Sequence, residues 1–326
     1  MVSSGQHTPK IAVITRTKNR SILLRRAIES VEAQTYDNYI HVIVNDGGDK
    51  KAIEDLLAEY PTERRKVVHN KKTLGLTRAL NMGIQAVSSE YIAMLDDDDS
   101  LHKDRLKDAV EYLDKHPNEV GVVNIMDKII EEVDGDSIKE LSRDRWHAEM
   151  QAVSLYKQCL DNYLSNGAFT YRRALYEELN GYDETLPAAE DWDFGVRTLL
   201  KYDIEILPTA HALYYYHHRP TQVGDGGNSV FAGIDSHRAA LNRLQNKYLR
   251  EDILSGSLGV GYIMNTLRYE RELDAARDER ADTRIVRLEG HMNFVGDKIR
   301  NDLLRNSTKS VVSGALKGIK SSFKHK

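Results

Sequence analysis

The stretch Glu90-Tyr-Ile-Ala-Met-Leu-Asp-Asp-Asp-Asp99 places an apolar run directly before four consecutive aspartates. The apolar part predicts a buried strand. Adjacent carboxylates repel one another, which raises their pKa values and weakens the folded state. A divalent cation relieves this repulsion, and oxygen ligands suit Mg²⁺ or Mn²⁺. If the strand stays extended, Asp96 and Asp98 point to one side and Asp97 and Asp99 to the other, so one pair is available to a metal ion.

Upstream of this stretch, short β-rich runs alternate with amphipathic helical segments. Strands are predicted at residues 11–14, 41–44, 66–69 and 91–95, and helices at residues 21–34, 52–59 and 76–87. Such alternation predicts the α/β class, with a mainly parallel sheet flanked by helices. In sheets of this kind, ligands bind beyond the carboxyl ends of the strands. Unusual polar residues occur at those ends, in Thr15-Arg-Thr17, Asn45-Asp-Gly-Gly48 and Asp96 to Asp99.

The second half of the chain is less regular. A charged stretch at residues 131–145 predicts a hairpin or a loop over the sheet, and a helix is predicted near residues 173–179. Glu190-Asp191 opens a further helix that runs to about residue 201. Strand-like residues 204–207 and 212–216 follow, and the second run ends at His217-His218 before a glycine-rich loop at residues 224–227.

Each polar group also has a simpler interpretation. The aspartates fit a solvated turn that caps the next helix, with Asp99 or Ser100 as the N-cap. Asp46 fits an ordinary Asp-Gly turn, and Glu190-Asp191 fits a pair of acids favoured at a helix N-terminus by the helix dipole. The pair His217-His218 fits the protein surface. These alternatives remain open as long as each group is considered by itself.

Composition excludes several classes of protein. The formal net charge of -4 argues against a general nucleic-acid binder, which would be basic. The single cysteine, Cys159, excludes an internal disulfide framework and fits a reducing compartment. The polar start of the chain lacks a secretory signal, and no apolar run reaches the roughly 18 residues that cross a bilayer. We therefore expect a cytoplasmic protein whose membrane contact, if any, is peripheral.

From residue 236 onward the composition predicts long charged helices. Apolar residues spaced by three and four form a seam typical of a coiled coil or a helical hairpin, which favours a homo-oligomer: Ile285, Leu288, Met292, Val295 and Ile299. Residues 305–326 contain six Lys or Arg and no acidic residue, and suit a helix on an anionic membrane surface. The alternative is a disordered solubilising tail, since Gly314 and Gly318 disfavour a helix in water. We predict a catalytic domain at 1–235, a helical extension at 236–304 and a basic tail at 305–326.

Taken together and in order, these segments resemble the family 2 glycosyltransferases, which are inverting enzymes of the GT-A fold. The resemblance covers about residues 10–220 and rests on seven segments: Val13–Arg20, Ala27–Tyr36, Val42–Gly48, Gly75–Gly83, Glu90–Asp99, Asn180–Glu184 and Ala189–Asp193. The segment at Glu90–Asp99 is the closest match. The resemblance implies transfer of a sugar from a nucleotide-sugar donor, UDP- or dTDP-linked, to a hydroxyl of a glycan or lipid-linked glycan in bacterial surface polysaccharide synthesis.

The resemblance also implies roles for individual residues. Asp191 is expected to be the catalytic base with Glu190 beside it, and Asp98 the direct ligand of Mn²⁺ or Mg²⁺, with Asp96 and one of His217 and His218, preferably His218, completing that site. Asp46 is expected to accept a hydrogen bond from the nucleotide base. The other residues assigned to the donor are Thr15, Thr17, Arg20, Arg78, Asp96 and Asp97.

Two departures from the family pattern leave the donor open. Lys18 stands where the family commonly has an aromatic residue, and Ala79-Leu80-Asn81 replaces the frequent Ala-Arg-Asn, so that Arg78 is the neighbouring source of positive charge. Two alternatives to a transferase also remain. A nucleotidyltransferase would usually have a glycine-rich phosphate loop after its first strand, and residues 15–20 contain no glycine. A non-catalytic, membrane-associated scaffold on a transferase fold is disfavoured by the joint presence of Asp46, Asp98 and Asp191.

Overall fold

A computed structural model describes residues 8–134, 137–148, 150, 152–222, 227–228 and 234–268. The chain divides into two compact units, Met1–Asn265 and Thr266–Lys326, and nearly all described residues belong to the first. The predicted seam at 285–299 and the basic tail at 305–326 lie outside the described residues. Within the described part, no helix is both long enough and apolar enough to cross a membrane.

The first unit is built on a seven-stranded sheet. Its strands are β1 (Ile11–Thr17), β2 (Tyr39–Asp46), β3 (Arg65–Asn70), β4 (Tyr91–Met94), β6 (Gly121–Val123), β9 (Phe169–Arg172) and β10 (Glu205–Ile206), in the spatial order β10-β6-β9-β4-β1-β2-β3. All neighbouring pairs are parallel except that β9 runs antiparallel to both β4 and β6. The prediction of a mainly parallel α/β sheet is confirmed.

A second, four-stranded sheet lies beside the aspartates. It contains β5 (Ser100–Leu101), β7 (Met126–Asp134), β8 (Ser137–Trp146) and β11 (Tyr214–His218) in the order β5-β11-β7-β8. Strands β7 and β8 form the antiparallel hairpin expected from the charged stretch, although it starts earlier, at Met126. Strand β11 lies between β5 and β7, which brings the end of β11 close to the aspartates that precede β5.

Helices cover the large sheet and connect its strands. They are α1 (Ser21–Glu32), α2 (Lys50–Ala58), α3 (Leu76–Gln85), α4 (Arg105–Lys115), α5 (Leu155–Leu160), α6 (Arg173–Glu178), α7 (Glu190–Leu199) and α8 (Ile234–Ser255). Helix α3 approaches the sheet closely at Gly83, where an added Cβ would lie 2.6 Å from a methyl carbon of Ile14. Because Gly83 has no side chain, α3 can rest directly on β1 and β2.

Helix α8 packs against the start of α7. Its Leu244 and Tyr248 share a buried cluster with Ala189 and Val196, and Lys247 donates a hydrogen bond to Asp193 at 2.7 Å. The first helix of the predicted extension is therefore part of the same compact unit as the large sheet. Its contacts hold in place the end of α7 that carries Glu190 and Asp191.

Candidate active site

The four aspartates form a turn at the carboxyl end of β4. The strand ends at Met94, and the backbone N–H of Asp99 donates to the carbonyl of Asp96 at 3.1 Å. The strand therefore does not stay extended through residue 99, and the four aspartate side chains do not alternate as they would along a strand. The turn lets Asp97 and Asp98 face the same partner, the Arg20 guanidinium, at 2.8 and 2.9 Å. Arg20 stands between β1 and α1, so the first connection of the sheet holds the turn.

Asp98 is bound by positive charge from two directions. Its Oδ2 accepts hydrogen bonds from Arg20 at 2.9 Å, from Arg219 at 2.5 Å and from Asn228 at 3.1 Å. Arg219 follows β11 directly and is completely buried. Two guanidinium groups therefore face one carboxylate and compensate the negative charge of Asp98.

Below the turn, Glu131 of β7 joins three further polar groups. It accepts from Arg219 at 2.6 Å and from Arg26 at 2.7 Å, and lies 2.7 Å from Nδ1 of His217. Burial alone would raise the pKa of Glu131, but the contacts with His217 and Arg26 outweigh it and lower that pKa to about 2. The network ties α1, β7 and β11 together beneath Asp98.

Asp97 and Asp99 are enclosed by protein. Asp99 accepts a hydrogen bond from the Tyr214 hydroxyl at 2.6 Å and another from the backbone of His217 at 2.9 Å. Burial raises the pKa of Asp99 well above its usual value, and burial with the neighbouring Asp98 raises the pKa of Asp97 to about 7. Asp96 is the most open of the four, with 37% of its side chain exposed. Asp96 is consequently the one best placed to meet a ligand from solution.

Arg16 connects the aspartate turn to the acids of α7. One nitrogen of its guanidinium lies 2.5 Å from Glu190, and another lies 3.3 Å from Asp96. Residues that are 80 and 174 positions away from Arg16 in the sequence therefore meet it at one site. The buried Glu190 is neutralised by this ion pair, whereas Asp191 next to it makes none among the described residues.

Asp191 is positioned by two backbone N–H groups. Asn166 donates to Oδ2 at 3.2 Å and Trp192 donates to Oδ1 at 2.8 Å. Burial, together with the charge of Glu190, raises the pKa of Asp191 to about 7. Ala189, the residue before the pair, has a left-handed backbone with φ of 62°, which is strained for a residue with a side chain. A carboxylate with this pKa can take up a proton near neutral pH.

Asp46 holds a neighbouring loop. Its carboxylate accepts hydrogen bonds from Asn70 at 2.9 Å, from the backbone of Leu74 at 2.9 Å and from the backbone of Gly75 at 3.0 Å. Asp46 is only 7% exposed. A nucleotide base that reached this carboxylate would share it with the loop between β3 and α3.

The remaining residues assigned to the donor lie in different surroundings. Thr15 is fully buried and its hydroxyl lies 2.9 Å from Nε2 of His41, inside the sheet, and Thr17 is also buried. The half-exposed Arg78 donates to Glu184 at 2.9 Å. These contacts direct the Thr15 hydroxyl and the Arg78 guanidinium toward protein groups.

His218 is suited chemically to a metal ion. Burial and the nearby Lys128 lower its pKa to about 4, so the imidazole is neutral at pH 7, the form that binds metals. With Asp96 and Asp98 it offers the oxygen and nitrogen ligands that Mn²⁺ accepts. The ligand atoms of Asp96, Asp98 and His218 do not all lie within 4.8 Å of one another. Among the described residues, only His102, Asp104 and His211 form a group of three that meets this distance. A metal ion at Asp98 would have to take over oxygen atoms that now face arginine.

Several residues at the site were not assigned a role from the sequence: Arg16, Arg26, Glu131, Asn166, Tyr216, Arg219 and Asn228. Tyr216 is notable because burial and the charges of Asp99, Asp98, Asp96 and Asp191 all raise the pKa of its hydroxyl. Its side chain shares a face of β11 with that of Tyr214, whose hydroxyl donates to Asp99. The alternating pattern from Tyr214 to His218, a strand with one face toward the turn, is the signal that could have identified it.

Comparison with known proteins adds sequence and structural relatives. The model of the family described as "Glycosyl transferase family 2" matches residues 12–179. The uncharacterized glycosyltransferase YwdF of Bacillus subtilis (strain 168) is 27% identical over 247 residues, which cover 73% of this chain and 84% of YwdF.

Solved structures give the same picture of the fold. TarS of S. aureus, residues 1–349, in complex with UDP-GlcNAc, is similar with a TM-score of 0.53 and 22% identity over 65% of this chain. The chain spans 60% of that TarS structure. The mannosyltransferase PcManGT of Pyrobaculum calidifontis, in complex with GDP-Man and Mn²⁺, has a TM-score of 0.54 and 16% identity, covering 83% of this chain and 76% of its own.

Proposed function

The chain belongs to glycosyl transferase family 2 and has the GT-A fold, and we propose that it moves a sugar from a nucleotide-sugar donor to a hydroxyl of a glycan or lipid-linked glycan. The observation that carries this proposal is the double contact of Arg16 with Asp96 and Glu190. This contact brings the acidic turn, which would hold the metal ion required by a donor diphosphate, next to a carboxylate suited to an acceptor hydroxyl. The groups proposed for the donor and for the acceptor thus both contact Arg16.

Asp191 is the catalytic base in this proposal. The acceptor oxygen forms a bond to C1 of the sugar, the bond from C1 to the diphosphate oxygen breaks, and the diphosphate leaves with the electron pair. The acceptor proton passes to Asp191, which the backbone of Asn166 and Trp192 keeps in orientation. A base whose pKa lies near the working pH is the most effective in such a transfer. A single displacement inverts the configuration at C1.

The leaving diphosphate needs positive charge. Arg16 and Arg20 present guanidinium groups on the side of the aspartate turn. Asp98, Asp96 and His218 would hold Mn²⁺ or Mg²⁺, which when bound would neutralise charge that develops on the diphosphate. The raised pKa of Asp97 and the two arginines that contact Asp98 reflect the concentration of negative charge in this turn. A bound cation would offset that charge.

The donor is proposed to be UDP- or dTDP-linked, with Asp46, Thr15, Thr17, Arg78 and Asp97 around the nucleotide. TarS, which has a similar fold, has been solved in complex with UDP-GlcNAc, and PcManGT in complex with GDP-Man. A bacterial surface polysaccharide is the proposed product, made in the cytoplasm or at the inner face of the cell membrane. We propose a homo-oligomer formed through the seam at 285–299.

A donor panel tests the reaction. The purified full chain is incubated with UDP-, dTDP- and GDP-sugars, with Mn²⁺ or with EDTA, and thermal stability and release of nucleoside diphosphate are measured. We expect one nucleotide class to raise the melting temperature most and to be hydrolysed or transferred only with metal. No metal-dependent release of nucleoside diphosphate from any donor would contradict the proposal and would favour a non-catalytic scaffold.

The base is tested by Asp191→Asn, which keeps the shape of the side chain and removes its proton affinity. Transfer should fall by about 100-fold or more, since general bases contribute that much, while donor binding stays nearly unchanged. In the unmodified enzyme, kcat/KM should drop about tenfold per pH unit below about pH 7, because the acid form of Asp191 cannot accept a proton. Normal transfer by the variant would show that another group is the base.

A further inference from the structure

A cluster of two histidines and an aspartate lies outside the site described above. His102 follows β5, Asp104 precedes α4, and His211 lies just before β11. One ligand atom from each residue lies within 4.8 Å of the others. Strand β11 runs from Tyr214, near this cluster, to His218, the proposed ligand of the catalytic metal. At roughly 3.3 Å per residue the strand spans about 13 Å. The cluster therefore belongs to the opposite end of the small sheet.

The backbone around the cluster is held by hydrogen bonds. The N–H of His102 donates to the carbonyl of Leu213 at 3.0 Å, which joins the segments that carry the two histidines. The carbonyl of His102 accepts from the Gln34 side chain at 2.9 Å. Because both segments are fixed to each other, the two imidazole rings stay near one another, with centroids 4.4 Å apart and planes inclined by 53°.

The side chains have the chemistry of metal ligands. Nδ1 of His102 lies 3.7 Å from Oδ2 of Asp104 and accepts a hydrogen bond from the backbone of the same residue at 3.3 Å, so a metal ion bound through Nδ1 would replace that hydrogen bond. The other oxygen of Asp104 accepts from the Thr35 hydroxyl at 2.8 Å, the kind of outer contact that orients a ligating carboxylate.

A second carboxylate lies close to the cluster. Asp108 is one helical turn after Asp104, on the same face of α4. Lys103 and Lys107 supply opposing positive charge from the same helix end. The start of α4 therefore brings a second carboxylate beside the cluster, against the positive charge of the two lysines.

We propose that His102, Asp104 and His211 bind a Zn²⁺-class transition-metal ion, with Asp108 or water in the remaining position. Neutral imidazole and carboxylate are ligands that Zn²⁺ takes in tetrahedral sites, at about 2.0–2.2 Å. Closure to those distances requires rotation of the exposed His211 side chain, while the backbone stays in place. The ion would connect the start of α4 to the segment before β11. It is separate from the Mn²⁺ or Mg²⁺ proposed at Asp98.

The test measures binding of Zn²⁺ and Co²⁺ to the full chain by calorimetry, by visible absorption of Co²⁺ and by the melting temperature. His211→Ala is the test variant, since this residue is exposed and its loss leaves the core intact. The matched control is His116→Ala, a histidine at the other end of α4 that stacks on Tyr112. We expect binding tenfold or more weaker and no Zn²⁺-induced rise in melting temperature in His211→Ala, with both unchanged in His116→Ala.

Asp98→Asn separates this site from the proposed catalytic metal. Zn²⁺ binding and the associated thermal shift should remain in Asp98→Asn even if sugar transfer is lost, and His211→Ala should transfer sugar at the normal rate with Mn²⁺. Wild-type affinity in His211→Ala, equal loss in His116→Ala, loss in Asp98→Asn or no Zn²⁺ binding by the natural chain would each overturn the proposal.

Discussion

Tyr214, Tyr216 and His218 alternate along β11 and share one face of the strand. Tyr214 bonds to Asp99, and His218 lies with its ring 4.1 Å from that of Tyr216. Tyr216 therefore stands between a residue that supports the aspartate turn and a proposed metal ligand. No described residue makes a hydrogen bond to its hydroxyl, and we expect this group to contact a sugar bound at the proposed site.

We predict that Tyr216→Phe lowers kcat by about tenfold, since one hydrogen bond to a charged group contributes about 1.5–3 kcal/mol. The folded state should be unaffected, because the ring and its packing remain. Steady-state kinetics and thermal unfolding measure the two effects. Tyr215→Phe is the control, since that ring lies on the other face beside Arg143. Equal activity of Tyr216→Phe and the natural enzyme would exclude the hydroxyl from the reaction.

Residues that follow strand ends could be located from the sequence. The turn at Asp96–Asp99 and the pair Glu190-Asp191 are short local patterns, and parallel strands place their ends on one edge. Their partners could not be located in this way. Arg219 reaches Asp98 over 121 positions and Arg16 reaches Glu190 over 174. The first pair depends on how the second sheet packs beside the aspartate turn and the second on how α7 packs against β1, and no local periodicity encodes either.

On strand β7, Glu131 contacts three basic side chains, those of Arg26, His217 and Arg219. Its pKa near 2 lies below the usual value for a glutamate, so the folded state binds the proton less tightly than the unfolded state. This contribution to stability is complete above about pH 4.5 and is lost as pH falls toward 2. The shift corresponds to about 3 kcal/mol.

Glu131→Gln should therefore lower the free energy of unfolding at pH 7 by about 3 kcal/mol, because the buried arginines lose a counter-charge. The difference from the natural chain should shrink as the pH falls below 4. Urea unfolding at several pH values measures both. Its neighbour Glu132 is exposed on the same strand, and Glu132→Gln should change stability little. A pH-independent difference would rule out the charge as the cause.

Elements with strong periodicity were predicted well. Strands β1 to β4 and helices α1 to α3 appear where expected, with ends shifted by a few residues. No helix was predicted over α4, although its buried Leu106, Ala109, Val110 and Leu113 have helical spacing. Strand β9 was missed because four residues carry little periodic signal, and its antiparallel insertion between β4 and β6 depends on tertiary pairing.

For the whole molecule, the comparisons establish the family and the fold, while the tail remains a prediction from composition. Deletion of residues 307–326 removes most of the positive charge of the segment, in which each Lys or Arg contributes about 1 kcal/mol to binding at an anionic surface. Binding to vesicles with acidic lipid should fall, and turnover of a soluble acceptor should remain. Sedimentation with such vesicles measures the first effect. Undiminished vesicle binding would contradict the assignment of this segment.

The contact between Arg219 and Asp98 also determines when the proposed site is completed during synthesis of the chain. Ribosomes add about 5–20 residues per second, so Arg219 emerges on the order of ten seconds after Asp98, which precedes it by 121 positions. The first strands can pair during that interval, whereas the aspartate turn still lacks one of its two arginines. A nascent chain interrupted before residue 219 would therefore contain every aspartate of the turn and lack one of the two guanidinium groups that contact Asp98.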